Sequence, residues 1–366
     1  MHFTLHMTSR CNLRCDYCYV NHGGEMTFET ARAAVDLASA DGAKTAGFVF
    51  FGGEPLLKRD LIFDTVAYAR EKEKTGITRF SFKITTNGLL LDDSFLDFAK
   101  RESFFIALSV DGTQEAHDMH RVMAPDGGKL RRGSYAQVSE AAKRLLRVFP
   151  QSPGMMTVRP DTLHLMADGV KSLFDLGFVY AVSSLDYSAD WKDEHLPVLQ
   201  EQYQRIAELY AEKTRRGDKF YYAPFESKIS SHINSREYCT QRCELGLRQV
   251  SVGPDGTIFP CVQFVGDETY KLGDVFNGID ENLRKGMYSR NEKRNDCGDC
   301  VLKKRCNCHC ACMNRQATGS IDKVSPMLCA HERTVIPIAD KVAGELYEEN
   351  PHYLDRHYKD FVHWFH

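Results

Sequence analysis

The sequence predicts an α/β fold: an incomplete (β/α)8 barrel of six βα units, a partial TIM-like barrel, followed by a cysteine-rich C-terminal domain. Three observations predict it. The first 190 residues alternate strand-like and helix-like segments with a spacing of about 35 residues. Segments such as GFVFFGG are short and nearly all apolar, as in parallel strands covered on both faces. The thirteen cysteines are split: three fall within Cys11–Cys18, none in residues 19–238, and ten between Cys239 and Cys329.

The elements follow in order. HFTLHMT reads as the first strand, because Phe3, Leu5 and Met7 alternate with polar neighbours. Thr27 caps a helix over FETARAAVDLASADG that stops at Gly42. After the strand GFVFFGG come a helix around 58–73, strand RFSFKITTNG, helix DDSFLDFAKRE and strand FFIALSVDG. A polar loop containing Pro125 and Gly127 leads to a helix over about 134–148, strand MMTVRPD, a helix to about Gly177 and strand YAVSSLDY. Six strands each followed by a helix imply a parallel sheet with right-handed crossovers. A long polar helix over about 193–216 and the turn-rich RRGDKFYYAPFE close the region, and a final amphipathic segment spans about 333–348. These boundaries give two domains, 1–230 and 231–366.

Composition excludes several classes. A net charge of -3 gives no electrostatic reason for a nucleic-acid partner or a membrane surface. No run of 18 apolar residues spans a bilayer, and the start lacks a basic region followed by an apolar core, so a cytoplasmic location is expected. In a reducing compartment thirteen cysteines call for metal or cluster ligation rather than disulfides.

Four distinctive segments each follow one of the first four strands: Cys11, Cys15 and Cys18; Gly52-Gly53-Glu54-Pro55; Thr85-Thr86-Asn87-Gly88; and Ser109-Val110-Asp111-Gly112. Parallel barrels build their active sites at these strand ends, so all four are expected on one rim. Three thiolates within eight residues bind three corners of a cubane cluster and leave the fourth iron open, whereas a closed structural site wants four ligands. A zinc site completed by His6 or His22 is the alternative. In GGEP, two glycines permit close backbone approach to a ligand, and Glu54 can take a charge-assisted bond from an ammonium group.

The CxxxCxxC loop with Tyr17, the GGEP segment and the six βα units resemble the radical S-adenosylmethionine (SAM) superfamily over residues 1 to about 190. The resemblance implies a [4Fe–4S] cluster on Cys11, Cys15 and Cys18 that binds the methionyl amine and carboxylate of S-adenosylmethionine, whose cleavage gives a 5′-deoxyadenosyl radical. Carried over, Gly52, Gly53 and Glu54 would hold the methionyl ammonium, Tyr17 would pack near the adenine, and Ser109 and Arg121 would contact the carboxylate and ribose. Arg121 reads equally as a surface arginine, and Asn87 as a turn former.

Further on, twelve residues separate Cys243 from Gly256; then come G-x4-C at Cys261, Cys297-x2-Cys300-x5-Cys306-x3-Cys310, and Cys329. This resembles the SPASM domain of radical enzymes that act on peptides and proteins. It implies two auxiliary [4Fe–4S] clusters, one on Cys261, Cys310 and Cys243, which Cys239 either completes or leaves site-open, the other on Cys297, Cys300, Cys306 and Cys329. Zinc ribbons share the C-x2-C spacing. Cys308 and Cys312 exceed the pattern and read as spare thiols, alternate ligands or buried small residues.

A ribosomally made, cysteine-containing precursor peptide is therefore the expected substrate, and thioether formation by a maturase of the sactipeptide or ranthipeptide type the leading reaction. The expected partners are a low-potential ferredoxin or flavodoxin and a separate leader-binding protein. Formylglycine formation, as in the anaerobic sulfatase maturases, is the alternative. The resemblance places their catalytic aspartate after an aromatic segment, where Tyr221–Ser227 offers only Glu226, the candidate general base. A non-catalytic cluster-bearing scaffold is the reading from another class.

Overall fold

The structure is a computed structural model that describes residues 1–20, 23–40, 42–124, 132–233, 243–292, 297–308 and 310–353. In chain order its strands are β1 (His2–Thr8), β2 (Leu13–Cys15), β3 (Thr45–Gly52), β4 (Arg79–Thr86), β5 (Phe105–Ser109), β6 (Arg121–Met123), β7 (Pro153–Val158), β8 (Tyr180–Leu185), β9 (Tyr221–Tyr222), β10 (Gln249–Val252), β11 (Thr257–Phe259), β12 (Gly273–Asp274) and β13 (Gly278–Ile279). The α-helices are α1 (Phe28–Ala40), α2 (Arg59–Thr75), α3 (Asp93–Arg101), α4 (Gln114–His120), α5 (Tyr135–Val148), α6 (Met166–Asp175), α7 (His195–Arg215), α8 (Ala223–Ile233), α9 (Glu281–Glu292), α10 (Ala311–Thr318) and α11 (Pro326–Glu349).

The chain divides into two compact units, but not at residue 230. One unit takes Met1–Val110, His117–Ser152 and Cys243–Arg294; the other takes Asp111–Ala116, Pro153–Arg242 and Asn295–His366. Backbone hydrogen bonding explains the difference within the first unit. There β10 runs parallel to β1, pairing His2 with Gln249 and Leu5 with Val252, so part of the expected C-terminal domain extends the N-terminal sheet.

In this first unit β1 also pairs in parallel with β3, β3 with β4, and β4 with β5. From β10 the sheet continues antiparallel through β11, β12 and β13. Apolar side chains on one face build a stacked aromatic core, with Phe50 and Phe82 at 5.8 and 5.5 Å from Phe104. Thr27 caps α1 as expected, accepting from the Thr30 amide at 3.2 Å. Asp92 does the same for α3, accepting from Phe95 at 2.9 Å.

In the second unit β7, β8 and β9 are parallel neighbours. Its core is tyrosine-rich: Tyr203, Tyr210 and Phe225 are almost wholly buried, together with Phe220. α11 begins at Pro326 rather than near 333, because Ser325 caps it through the Leu328 amide at 3.2 Å and proline suits the first helical turn.

Candidate active site

The first three cysteines leave β1 on a loop held from two sides. A two-stranded antiparallel ribbon of β2 and β6 sets Cys15 directly opposite Arg121. Cys11 Sγ accepts hydrogen bonds from the Leu13 amide at 3.3 Å and the Asn87 side-chain amide at 3.6 Å. Cys11 and Cys15 are half-buried and Cys18 is exposed. Burial pushes the Cys11 thiol up to about 11, opposed by those two donors. A coordinating metal ion deprotonates such a thiol outright.

The glycines act on the protein's own backbone. A Cβ on Gly53 would stand 2.1 Å from the Arg10 carbonyl oxygen, and one on Gly52 2.5 Å from that of Thr8. The Gly53 and Glu54 amides donate to Thr8 O and Arg10 O at 2.8 and 2.9 Å. The close approach expected toward a ligand is thus made toward the chain that enters the cysteine loop.

Glu54 likewise has partners other than the expected ammonium. Its carboxylate, with no exposure, accepts from the Leu56 amide (3.0 Å), the Thr86 hydroxyl (2.8 Å) and the Asn87 amide (2.9 Å). Burial pushes its pKa up to about 7, against the pull of these three donors. Glu54 is therefore a strut tying the GGEP turn to the end of β4. Asn87 extends the strut, donating to Asn12 Oδ1 at 2.7 Å as well as to Cys11. The positive φ of this turn belongs to Gly88, at 83°.

Tyr17 and Arg121 come together: the guanidinium carbon lies 5.3 Å from the ring centroid, and Arg121 Nη1 reaches Cys15 Sγ at 4.0 Å. Arg121 is 8% exposed, so it is no ordinary surface arginine. Ser109 ends β5 and is half-buried. Sequence reasoning placed Thr86 on the rim without its bond to Glu54, and missed Asn12 and also His120, whose Nδ1 lies 3.2 Å from Asp16 Oδ2 beside the loop. Asn12 sits inside the CxxxCxxC spacing; the other contacts are long-range and leave no local signal.

Glu226, the candidate general base, sits in the core of the second unit. It is 5% exposed on α8 and accepts from Tyr210 OH at 2.7 Å, which in turn meets Tyr353 OH at 2.8 Å. The neighbouring turn of α8 instead presents Pro224, Ser227 and Lys228 to a cavity of about 240 Å³ that His331 and Glu332 also line. Lys228 Nζ and Glu332 Oε2 form a buried 2.6 Å ion pair there. The His331 ring is held between Tyr187 OH and Tyr203 OH, both at 2.6 Å, and burial lowers its pKa to about 3. It is thus neutral, with one ring nitrogen donating and the other accepting.

No disulfide joins any two of the twelve described cysteines. Cys239 lies outside the described residues. Cys243 and Cys261 belong to the first unit; Cys297, Cys300, Cys306, Cys308, Cys310, Cys312 and Cys329 belong to the second. In the second, Cys297 has Cys300, Cys308 and Cys329 as electrostatic neighbours. Arg333 Nε donates to Cys329 Sγ at 3.4 Å. Cys310 and Cys312 place their sulfurs 3.4 Å apart. Among the described residues no three His, Cys, Asp or Glu side chains converge closely enough to hold a metal ion.

Residues 5–168 match the model of the radical SAM superfamily. That span is a radical SAM domain. A cysteine-type anaerobic sulfatase-maturating enzyme of Clostridium novyi is 25% identical over 328 residues, which cover 83% of this chain and 84% of the relative. The solved structure of native anSMEcpe with bound AdoMet superposes with a TM-score of 0.79 at 18% identity, covering 94% of this chain and 99% of that one. That of Streptococcus suis SuiB bound to precursor peptide SuiA gives 0.62 at 16%, covering 90% and 75%. These likenesses fix the fold as the α/β partial barrel with a cysteine-rich C-terminal region, as the sequence predicted.

As a radical SAM enzyme the chain is expected to carry a [4Fe–4S] cluster and to bind S-adenosylmethionine. The residues present fit that expectation. Three cysteines on one loop offer three sulfur donors, and the Gly52-Gly53 cradle, which tolerates no Cβ, fixes the loop's entry. Cys11, Cys15 and Cys18 would hold the cluster, and Tyr17 with Arg121 would flank it. Among the described residues no helix is long and apolar enough to cross a membrane.

Proposed function

We propose that this radical SAM enzyme is a polypeptide maturase that oxidises a cysteine-containing peptide and joins the cysteine sulfur to a peptide carbon. The observation that carries the reading is the pairing of a three-thiol loop, rigidly cradled in one unit, with a second gathering of thiols in the other. Support also comes from the relatives' own substrates: SuiB was solved with its precursor peptide, and anSMEcpe with peptides designated Kp18Cys and Cp18Cys.

Thioether formation breaks one S–H and one C–H bond and makes one C–S bond. When bound, S-adenosylmethionine supplies the deoxyadenosyl radical that removes the hydrogen atom. A proton and an electron remain to leave the site; an auxiliary cluster on the C-terminal cysteines would take up that electron, and a low-potential ferredoxin or flavodoxin would donate the one that starts turnover. Arg121 and Tyr17 orient the cosubstrate beside Cys15, and the Glu54 strut keeps the loop in place.

A second reading, oxidation of the cysteine to formylglycine, is favoured by the likeness to sulfatase-maturating enzymes over 83% of the chain. Weighing against it, the one carboxylate in the Tyr221–Ser227 stretch, Glu226, is committed to Tyr210. The test is anaerobic turnover with S-adenosylmethionine, a strong reductant and a cysteine-bearing precursor peptide. A peptide lighter by two hydrogens, together with 5′-deoxyadenosine, is expected. An aldehyde trapped by a hydrazine selects the second reading, and no 5′-deoxyadenosine from cluster-replete protein rejects both in favour of a non-catalytic scaffold.

A further inference from the structure

The second unit holds a polar cavity that no step of the proposed chemistry occupies. It measures about 240 Å³ and is lined chiefly by β8, α8 and α11. Leu185 ends β8 and Tyr187 follows it, so the cavity reaches the C-terminal end of a parallel strand, where barrels build their sites. Its size is below the roughly 300–1,000 Å³ of pockets that enclose a whole small ligand. It suits one side chain or a short stretch of a longer chain.

The polar wall of the cavity is charged but balanced. Lys228 and Glu332, 3% and 1% exposed, pair there at 2.6 Å. An ammonium group carries three hydrogens. Among the described residues Glu332 is the one hydrogen-bond partner of Lys228 Nζ, so two donors remain. The other polar groups narrow the choice. Both ring nitrogens of His331 are taken by Tyr187 and Tyr203, and the Ser227 hydroxyl turns to Pro224 O at 3.0 Å. The exposed Ser184 hydroxyl has no partner among the described residues. The cavity therefore offers donors on Lys228 and Ser184 beside a carboxylate, a group able to accept several bonds.

A buried ion pair is a weak stabiliser, because apolar residues of similar volume commonly serve a fold as well. What this pair offers is recognition. A charged guest would upset its balance and leave an unmatched charge away from water. An amide fits: its oxygen accepts from Lys228, its N–H donates to Glu332, and each ion keeps its partner. We propose that this cavity binds a carboxamide of the polypeptide substrate through Lys228 and Glu332. The inference rests on the peptide-maturase reading for the source of that amide, a backbone peptide group or an Asn or Gln side chain, but its test needs no turnover.

Acetamide, N-methylacetamide, acetate and methylammonium are each titrated into the full-length protein and followed by saturation-transfer NMR. The amides should bind saturably and the two ions about 10-fold or more weakly, the scale of a hydrogen bond to a charged group. Tighter binding of acetamide assigns the site to an Asn or Gln side chain, and tighter binding of N-methylacetamide to the peptide backbone. Lys228→Met/Glu332→Leu, with its fold checked by circular dichroism, should lose amide affinity by at least the same factor. Three results overturn the proposal: no saturable amide binding to the wild type, acetate or methylammonium binding as tightly as the amides, or undiminished amide binding by the folded double variant. Should the double variant fail to fold, the wild-type selectivity decides alone. Failure of the proposed function would show differently, as amide binding without peptide oxidation.

Discussion

The two units hold their thiols by opposite means. In the first, the cysteine loop hangs from a regular parallel sheet and is braced by backbone bonds to Gly53 and Glu54, the β2–β6 ribbon, and Asn87. In the second, Cys297–Cys308 is a run of turns without strand or helix, and it leans on Asn314 and the cap of α11. The difference teaches that one set of thiols is presented by regular structure, whereas the other has no strand or helix of its own and, as an auxiliary-cluster site, would take its shape from the metal.

Removing iron tests this contrast most strongly. Structural metal sites contribute on the order of 10 kcal/mol to the segments they organise. Anaerobic chelation should therefore abolish hydrogen-exchange protection across residues 297–308 and 310–318 while β1, β3 and β4 keep theirs. Equal loss in both units, or none in either, breaks the comparison.

Next in size is the buried Lys228–Glu332 pair, whose side chains are 3% and 1% exposed. Lys228→Met strands a carboxylate beside Cys306, and denaturant unfolding of the second unit should register a loss of about 3–5 kcal/mol. Adding Glu332→Leu should restore most of it. A double variant no better than the single one would mean that the pair's electrostatics are not what stabilises this region.

The first unit should instead fail by geometry. Gly53→Ala drives a Cβ into the Arg10 carbonyl, which is backbone and has no rotamer to yield. Formation of 5′-deoxyadenosine should fall about 10–100-fold, the range for groups that orient metal ligands. Gly344→Ala, with no neighbour within 4 Å of the added carbon, is the control and should leave the rate unchanged.

How much of this was legible in the sequence follows from range. The six long parallel strands and their helices were readable, because apolar periodicity and caps such as Thr27 and Asp92 are local. β2, β6 and β10 were not: pairings of three or four residues carry no periodicity, and β10 finds β1 nearly 250 residues away. α8 reads as a turn in the sequence because Pro224 signals a break, although proline is tolerated in the first turn of a helix. The cluster cysteines were legible as spacing, and Arg121 as part of a motif. The contact that turns Glu226 toward Tyr210 depends on which side of a turn the residue falls.

Glu54 offers the smallest and most discriminating test of the braced loop, because it separates a strut from a ligand by pH. Its pKa is raised to about 7 by burial, above the ordinary 4.5. The folded state therefore prefers the protonated form, and the associated stability is complete below pH 4.5 and lost as pH rises through 7. The wild-type protein should lose roughly 2–4 kcal/mol between these limits through this group, since each tenfold change in proton affinity is worth about 1.4 kcal/mol. Glu54→Gln removes the titration but turns an NH2 toward donors from Leu56, Thr86 or Asn87, costing about 1–3 kcal/mol. Denaturant unfolding of both proteins at about pH 5, 6, 7 and 8 should show the variant weaker at the acid end, with the gap narrowing toward the alkaline end. A gap that stays constant across this range would mean that the carboxyl does not titrate in its buried seat, and that the loop's brace owes nothing to its protonation.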